Sequence, residues 1–198
     1  MRAMPLVFAV VYSLAAIVPS EAGPAAPAAE AAAPAALRHV RPRDAVASLL
    51  LRFGNEKSGR FREIVHTLER SNVIVYVEVR LDSDHPVSGG LTFMGEAHGI
   101  RWVRAMVDSG TASHLRTCQD IVRLTSILGH ELQHALEASQ APTLQNVREF
   151  ERYFRSIGID REPRILDTLA ARQAGRQVAD EIRGTRSARS RATPVATD

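Results

Sequence analysis

The chain has 198 residues, a formal net charge of +3 and a single cysteine, Cys118. One thiol excludes an internal disulfide and a cysteine-built metal cluster, so any metal site must rest on histidines and carboxylates. The small charge sits mostly on a C-terminal run of arginines that no aromatic residues interleave, which argues against a nucleic-acid binder.

Residues 1–22 read as an export signal. Arg2 gives a short positive start, Met4–Val18 is apolar, and Ser20 and Ala22 are small residues at the spacing of a signal-peptidase site. The apolar run falls short of the roughly 20 residues that span a bilayer. Cleavage after Ala22 would leave a periplasmic or secreted protein without stable membrane insertion; the same flanks also fit an uncleaved N-terminal anchor. Residues 23–42, Ala/Pro-rich, read as a linker. Residues 43–183 are enough for one domain with a core, and the Arg/Ser/Thr-rich residues 184–198 read as a disordered basic tail.

Within the domain, "RDAVASLLLRF" and "SGRFREIVHTLERS" carry apolar residues at helical spacing and predict two helices split at Gly54. Val73–Arg80, "VIVYVEVR", is β-branched with period two and predicts a strand. "LTFM" and "IRWVRAMVD", joined by "GEAHG", predict two more, as a three-stranded antiparallel meander. A third helix runs from near Cys118 to Ser139. A fourth, "LQNVREFERYFRSI", carries the stripe Val147–Phe150–Phe154–Ile157 and stops at Gly158. A fifth begins at Pro163, a favoured first-turn residue. The fold class expected is α+β, a small antiparallel sheet packed with helices.

The third helix contains "GHELQHALE", Gly129–Glu137. His130 and His134 lie one turn apart on one face, where two imidazoles can hold one ion. Glu131 projects from the flank, placed to accept a proton from water at such an ion. Ile121, Leu124, Leu128, Leu132, Ala135 and Leu136 occupy the opposite side. No Lys or Arg falls between Leu124 and Ser139. An exposed helix would carry such charges, so the histidine face is expected inside a cleft.

A third ligand must come from a carboxylate, and Asp167 is favoured. On a helix starting at Pro163 it shares a face with Ala170, Ala171, Ala174 and Val178, while Arg172, Arg176 and Arg183 point away. A carboxylate on such a stripe needs a partner. Small neighbours would let a short side chain reach the motif helix. An Asp bonded to buried backbone or to an arginine is the other reading. Glu137, one turn beyond His134, suits orienting an imidazole, and Glu151 on the fourth helix is a further alternative ligand. Tyr153, His98 and His114 are candidates by type alone to stabilise an oxyanion.

"GHELQHALE" resembles the active-site helix of the zincin metallopeptidases, on the gluzincin side; Glu137 and Gln140 stand where a metzincin has Gly and a third His. The order of helices, sheet, motif helix and a later ligand-bearing helix is also zincin-like. From about residue 58 to 183 the chain further resembles a group of bacterial exported proteins with "SDVIVYV", "RYLR" and "LGHELQHALE"-type segments, here Ser71–Val77, Arg101–Arg104 and Leu128–Glu137. The resemblance places Glu at the position of Asp167 in an "E-T" pair. It implies one Zn2+ per chain held by His130, His134 and Asp167, with Glu131 as general base in hydrolysing a peptide or protein substrate. A sheet edge could receive that substrate as an added strand. Two other readings stay open: a non-catalytic zinc-binding scaffold of the cell envelope, and a structural protein tethered by its N-terminus.

Overall fold

A computed structural model of the chain describes residues 37–80, 89–109, 117–141, 143–159 and 167–191. The proposed signal, most of the linker, the loop between the first two expected strands, His114 and Pro163 lie outside these residues. The described fold is α+β, a mixed four-stranded sheet with five helices.

Strand β1 (Val40–Pro42) lies within the segment expected to be linker. Val40 is fully buried, and the Glu69 carboxylate accepts the backbone N–H groups of Arg38, His39 and Val40 at 2.8, 3.0 and 2.8 Å. A lone valine within Ala/Pro-rich chain gives no periodicity to read; a carboxylate thirty residues away holds the strand.

Helices α1 (Ala45–Lys57) and α2 (Gly59–Leu68) part at Ser58, four residues beyond the expected break at Gly54. Ser58 is extended (φ −130°, ψ 126°) and caps α2 by accepting from Phe61 N at 3.1 Å. Gly54 is instead the seat of the Phe61 ring, where a Cβ would stand 2.7 Å from ring carbon. Asp44 caps α1 through Ala47 N, and its other oxygen accepts from Val79 N, fastening the helix to the sheet.

Strands β2 (Val73–Arg80), β3 (Gly89–Ala97) and β4 (Ile100–Asp108) form in the expected places, but not as a meander. The sheet order is β1-β2-β4-β3, with β2 parallel to both β1 and β4 and only β3 antiparallel to β4. Period two fixes which face of a strand is buried and says nothing of its neighbours. The β3–β4 connection is a tight hairpin, with His98 and Gly99 both at positive φ (53° and 76°), as two-residue hairpin turns require. The hairpin enters β4-first, which leaves β3 with an edge unpaired among the described residues.

The inner face of the sheet presents Val73, Val75, Val77, Phe93, Val103, Ala105 and Val107 to helix α3 (Cys118–Gln140) and to α1. Removing each such side chain from water contributes about 1.5–3 kcal/mol. A Thr117–Asp120 capping box starts α3. At its other end the buried Arg101 guanidinium donates to the carbonyls of Ala138 and Ala141 at 2.6 and 2.9 Å, satisfying acceptors the helix leaves open.

Helix α4 (Val147–Ile157) buries Phe150 and Phe154, while Val147 and Ile157 are exposed, so its apolar stripe is half as long as expected. Helix α5 is Leu169–Arg191. It starts six residues after Pro163, because Thr168 Oγ1 accepts from Ala171 N at 3.1 Å and acts as the cap. It also runs on into the segment expected to be a disordered tail. Alongside α3 it packs closely at Gly129 and Gly175. A Cβ on Gly129 would meet Val178 Cγ2 at 2.9 Å, and one on Gly175 would meet Ser126 O at 3.1 Å. Among the described residues no helix is long and apolar enough to cross a membrane.

Candidate metal centre

Helix α3 aims His130 and His134 toward the start of α5, and the close approach at Gly175 brings the chain just before α5 within reach. His130 Nε2 and His134 Nε2 stand 3.1 Å apart. Asp167 Oδ1 lies 3.3 Å from the first and 3.7 Å from the second. The three residues could hold one metal ion. Asp167 Oδ1 is buried and, among the described residues, has no hydrogen-bond partner; the 3.3 Å approach of His130 lacks hydrogen-bond geometry. A buried carboxylate oxygen without a partner beside two imidazole nitrogens is costly, and a cation between the three atoms would satisfy it.

Asp167 differs from expectation in its setting. It precedes α5 and does not ride on the alanine stripe. Its Oδ2 is held by Arg172 Nε. Arg172, Arg176 and Arg183, expected to point away, line the same cleft as the histidines. Oδ2 thus fits the arginine-partner reading, while Oδ1 faces the two histidines.

Glu137 is spoken for. Its Oε2 lies 2.9 Å from His134 Nδ1, and its Oε1 accepts from Thr168 Oγ1 at 2.7 Å. The carboxylate fixes His134 as the Nδ1–H tautomer, leaving the Nε2 lone pair facing Asp167 and His130. Thr168 thus ties the α5 cap to the histidine it supports. Glu151 is half-buried and pairs with Arg155 at 3.1 Å, away from the centre. Tyr153 donates to the Glu137 carbonyl at 3.2 Å, and burial raises its phenol pKa; it is not among the residues lining the cleft. His98 sits exposed in the β3–β4 turn.

Burial sets the electrostatics. It pulls His130 down to about 4, helped by His134 beside it, so His130 is a neutral imidazole with a free lone pair at neutral pH. Burial pushes Glu131 up to about 7, a proton affinity suited to exchange near neutrality. Its carboxylate lies against the start of β3, where a Cβ on Gly89 would stand 2.6 Å from Oε1 and 2.7 Å from Ile127 Cγ2. Gly89 is a contributor that sequence reasoning passed over, as are Thr168 and Gly175, and Arg172 is one it turned away from the cleft.

The centre opens into a cleft of about 870 Å³. One wall is apolar, from Leu91, Ile127, Phe150 and Phe154; the other is the arginine-bearing side of α5. No family model, curated protein or solved structure matches the chain. The functional reading therefore stands on this geometry.

Proposed function

We propose that the chain is a zinc-dependent peptidase of zincin type. The convergence of three ligating atoms, spaced 3.1, 3.3 and 3.7 Å, carries this reading. Tetrahedral zinc with bonds of about 2.0–2.2 Å to nitrogen and oxygen has ligand-to-ligand edges of roughly 3.3–3.5 Å, which these values bracket. A purely structural site is closed by a fourth protein ligand, whereas a catalytic one keeps a side open. Here the fourth side faces the cleft.

Bound zinc would supply Lewis acidity, lowering the pKa of water toward about 7 and polarising the scissile carbonyl. The chain's own residues do the rest. Glu131, its proton affinity raised by burial, takes the proton of the attacking water and delivers it to the leaving amine. Glu137 keeps His134 oriented, and Arg172 leaves Asp167 only one oxygen to offer. Gly89, Gly90 and Leu91 line the cleft along the side of β3 that is unpaired among the described residues, where an extended peptide could add as a strand. Glycines there leave room for its backbone.

The test is metal analysis of purified protein followed by a screen with internally quenched peptide libraries. About one zinc per chain and chelator-sensitive cleavage are expected. Zinc binding without cleavage of any library would favour the scaffold reading, and absence of zinc after loading would end both.

A further inference from the structure

The α5 wall of the cleft carries charges that metal binding and proton transfer do not require. Arg172, Arg176 and Arg183 face three carboxylates, those of Glu131, Asp167 and Asp180, so the described lining is formally balanced. A divalent ion between neutral imidazoles would leave it with two net positive charges. Arg172 is committed to Asp167, and Arg183 lies 3.3 Å from Asp180 in a solvent-exposed pair, a kind of contact that competes poorly with a new ligand. Arg176 has no hydrogen bond or ion pair among the described residues. It lies one helical turn beyond Arg172, a rise of about 6 Å, or about two residues of extended peptide.

We infer that the cleft selects peptides carrying a carboxylate about two positions from the scissile bond, received by Arg176 with Arg183 reinforcing it. This rests on the peptidase reading above. Arg176 lines the cleft from an exposed position, so its charge-assisted hydrogen bonds to a carboxylate are screened by solvent and favour it over a neutral isostere by up to about fivefold, about 1 kcal/mol. The carboxylate could be an acidic side chain or the chain end. The chemistry is the same, and only the peptide's terminus separates them.

The experiment uses fluorescent peptide hydroxamates, which bind zinc without being cleaved, titrated by anisotropy into the zinc-loaded full chain. One amidated series carries Glu, Gln or Lys two positions from the hydroxamate; a further Gln peptide ends there in a free carboxylate. The Glu peptide, the free-ended peptide, or both should bind about three- to fivefold tighter than amidated Gln, which identifies the source. In Arg176→Gln the preference should vanish to within about 1.5-fold, and Arg176→Glu should favour Lys. Equal binding of all four peptides, the free-ended one included, overturns the inference while leaving the peptidase reading intact. An undiminished preference in both Arg176→Gln and Arg176→Gln/Arg183→Gln overturns the arginine assignment. If no hydroxamate binds better to zinc-loaded than to metal-free protein, the peptidase reading falls and takes the inference with it.

Discussion

Replacing Asp167 with Asn should separate metal affinity from stability. Zinc sites held by four protein ligands bind with about 10–16 kcal/mol, roughly 3 kcal/mol per ligand, so losing one carboxylate should weaken zinc about a hundredfold or more. The metal-free fold should hardly notice. Asp167 Oδ1 makes no hydrogen bond among the described residues, so removing its charge relieves a desolvated oxygen. An amide nitrogen in that place could donate to a histidine Nε2. Against this, the pair with Arg172 weakens; with the arginine side chain 39 % exposed, that pair is worth about 0–1 kcal/mol. The net change in the metal-free protein should lie within about 1 kcal/mol, less than about 4 °C in Tm for a chain of this size. Asp167→Ala carries the same expectation for zinc and removes the amide oxygen as a substitute ligand. Chelator competition reads the affinity and thermal unfolding of metal-free protein reads the fold. Zinc retained within threefold in both variants would refute the assignment of Asp167. A loss of 3 kcal/mol or more without metal would show that the Asp167–Arg172 pair is there to hold the fold.

Glu131→Gln should keep the zinc and abolish cleavage, read by metal content and peptide hydrolysis. In metal-free protein the same change tests the burial of Glu131: a pKa raised from 4.5 to about 7 means the folded state holds the proton more tightly. That stabilisation is full below pH 4.5 and is lost as pH rises to 7, about 3 kcal/mol in all. Denaturant titrations should therefore find the Gln variant more stable than wild type at pH 8 and the difference gone near pH 4.5. Glu137→Gln should lower zinc affinity about 10–100-fold, less than Asp167→Ala, because it only orients His134. Intact-mass measurement of protein from the cell envelope should give a mature start near Gly23, and full-length protein retained in the membrane would favour an anchor.

The parts of the site legible in the sequence are those whose information is local. His130, Glu131, His134 and Glu137 lie within two turns of one helix, so residue type and spacing place them together, with Glu137 against His134. Strand positions were local too, since Val73, Val75 and Val77 announce a buried face wherever the strand sits. Strand order was not, because it depends on which neighbours β2 accepts, and nothing in its alternation distinguishes a parallel partner from an antiparallel one. β1 was invisible for a related reason: three residues, one of them proline, are held by the distant Glu69 carboxylate.

The misplaced arginines show how a single capping residue redirects a site. On an uninterrupted helix from Pro163, Asp167 and Arg172 would be five residues apart and so about 140° apart around the axis, on opposed faces. Thr168 ends that possibility. By accepting from Ala171 N it starts the helix at Leu169 and leaves Asp167 outside the helix, before its first turn. From there the carboxylate can turn back across the helix end, offering one oxygen to Arg172 and the other to the two histidines. The same hydroxyl donates to Glu137, so the residue that sets where α5 begins also steadies His134. Ser, Thr, Asp and Asn at a helix start are readable signals. Weighing Thr168 against Pro163 would have moved the helix start, freed Asp167 from the alanine face and turned Arg172 and Arg176 toward the cleft.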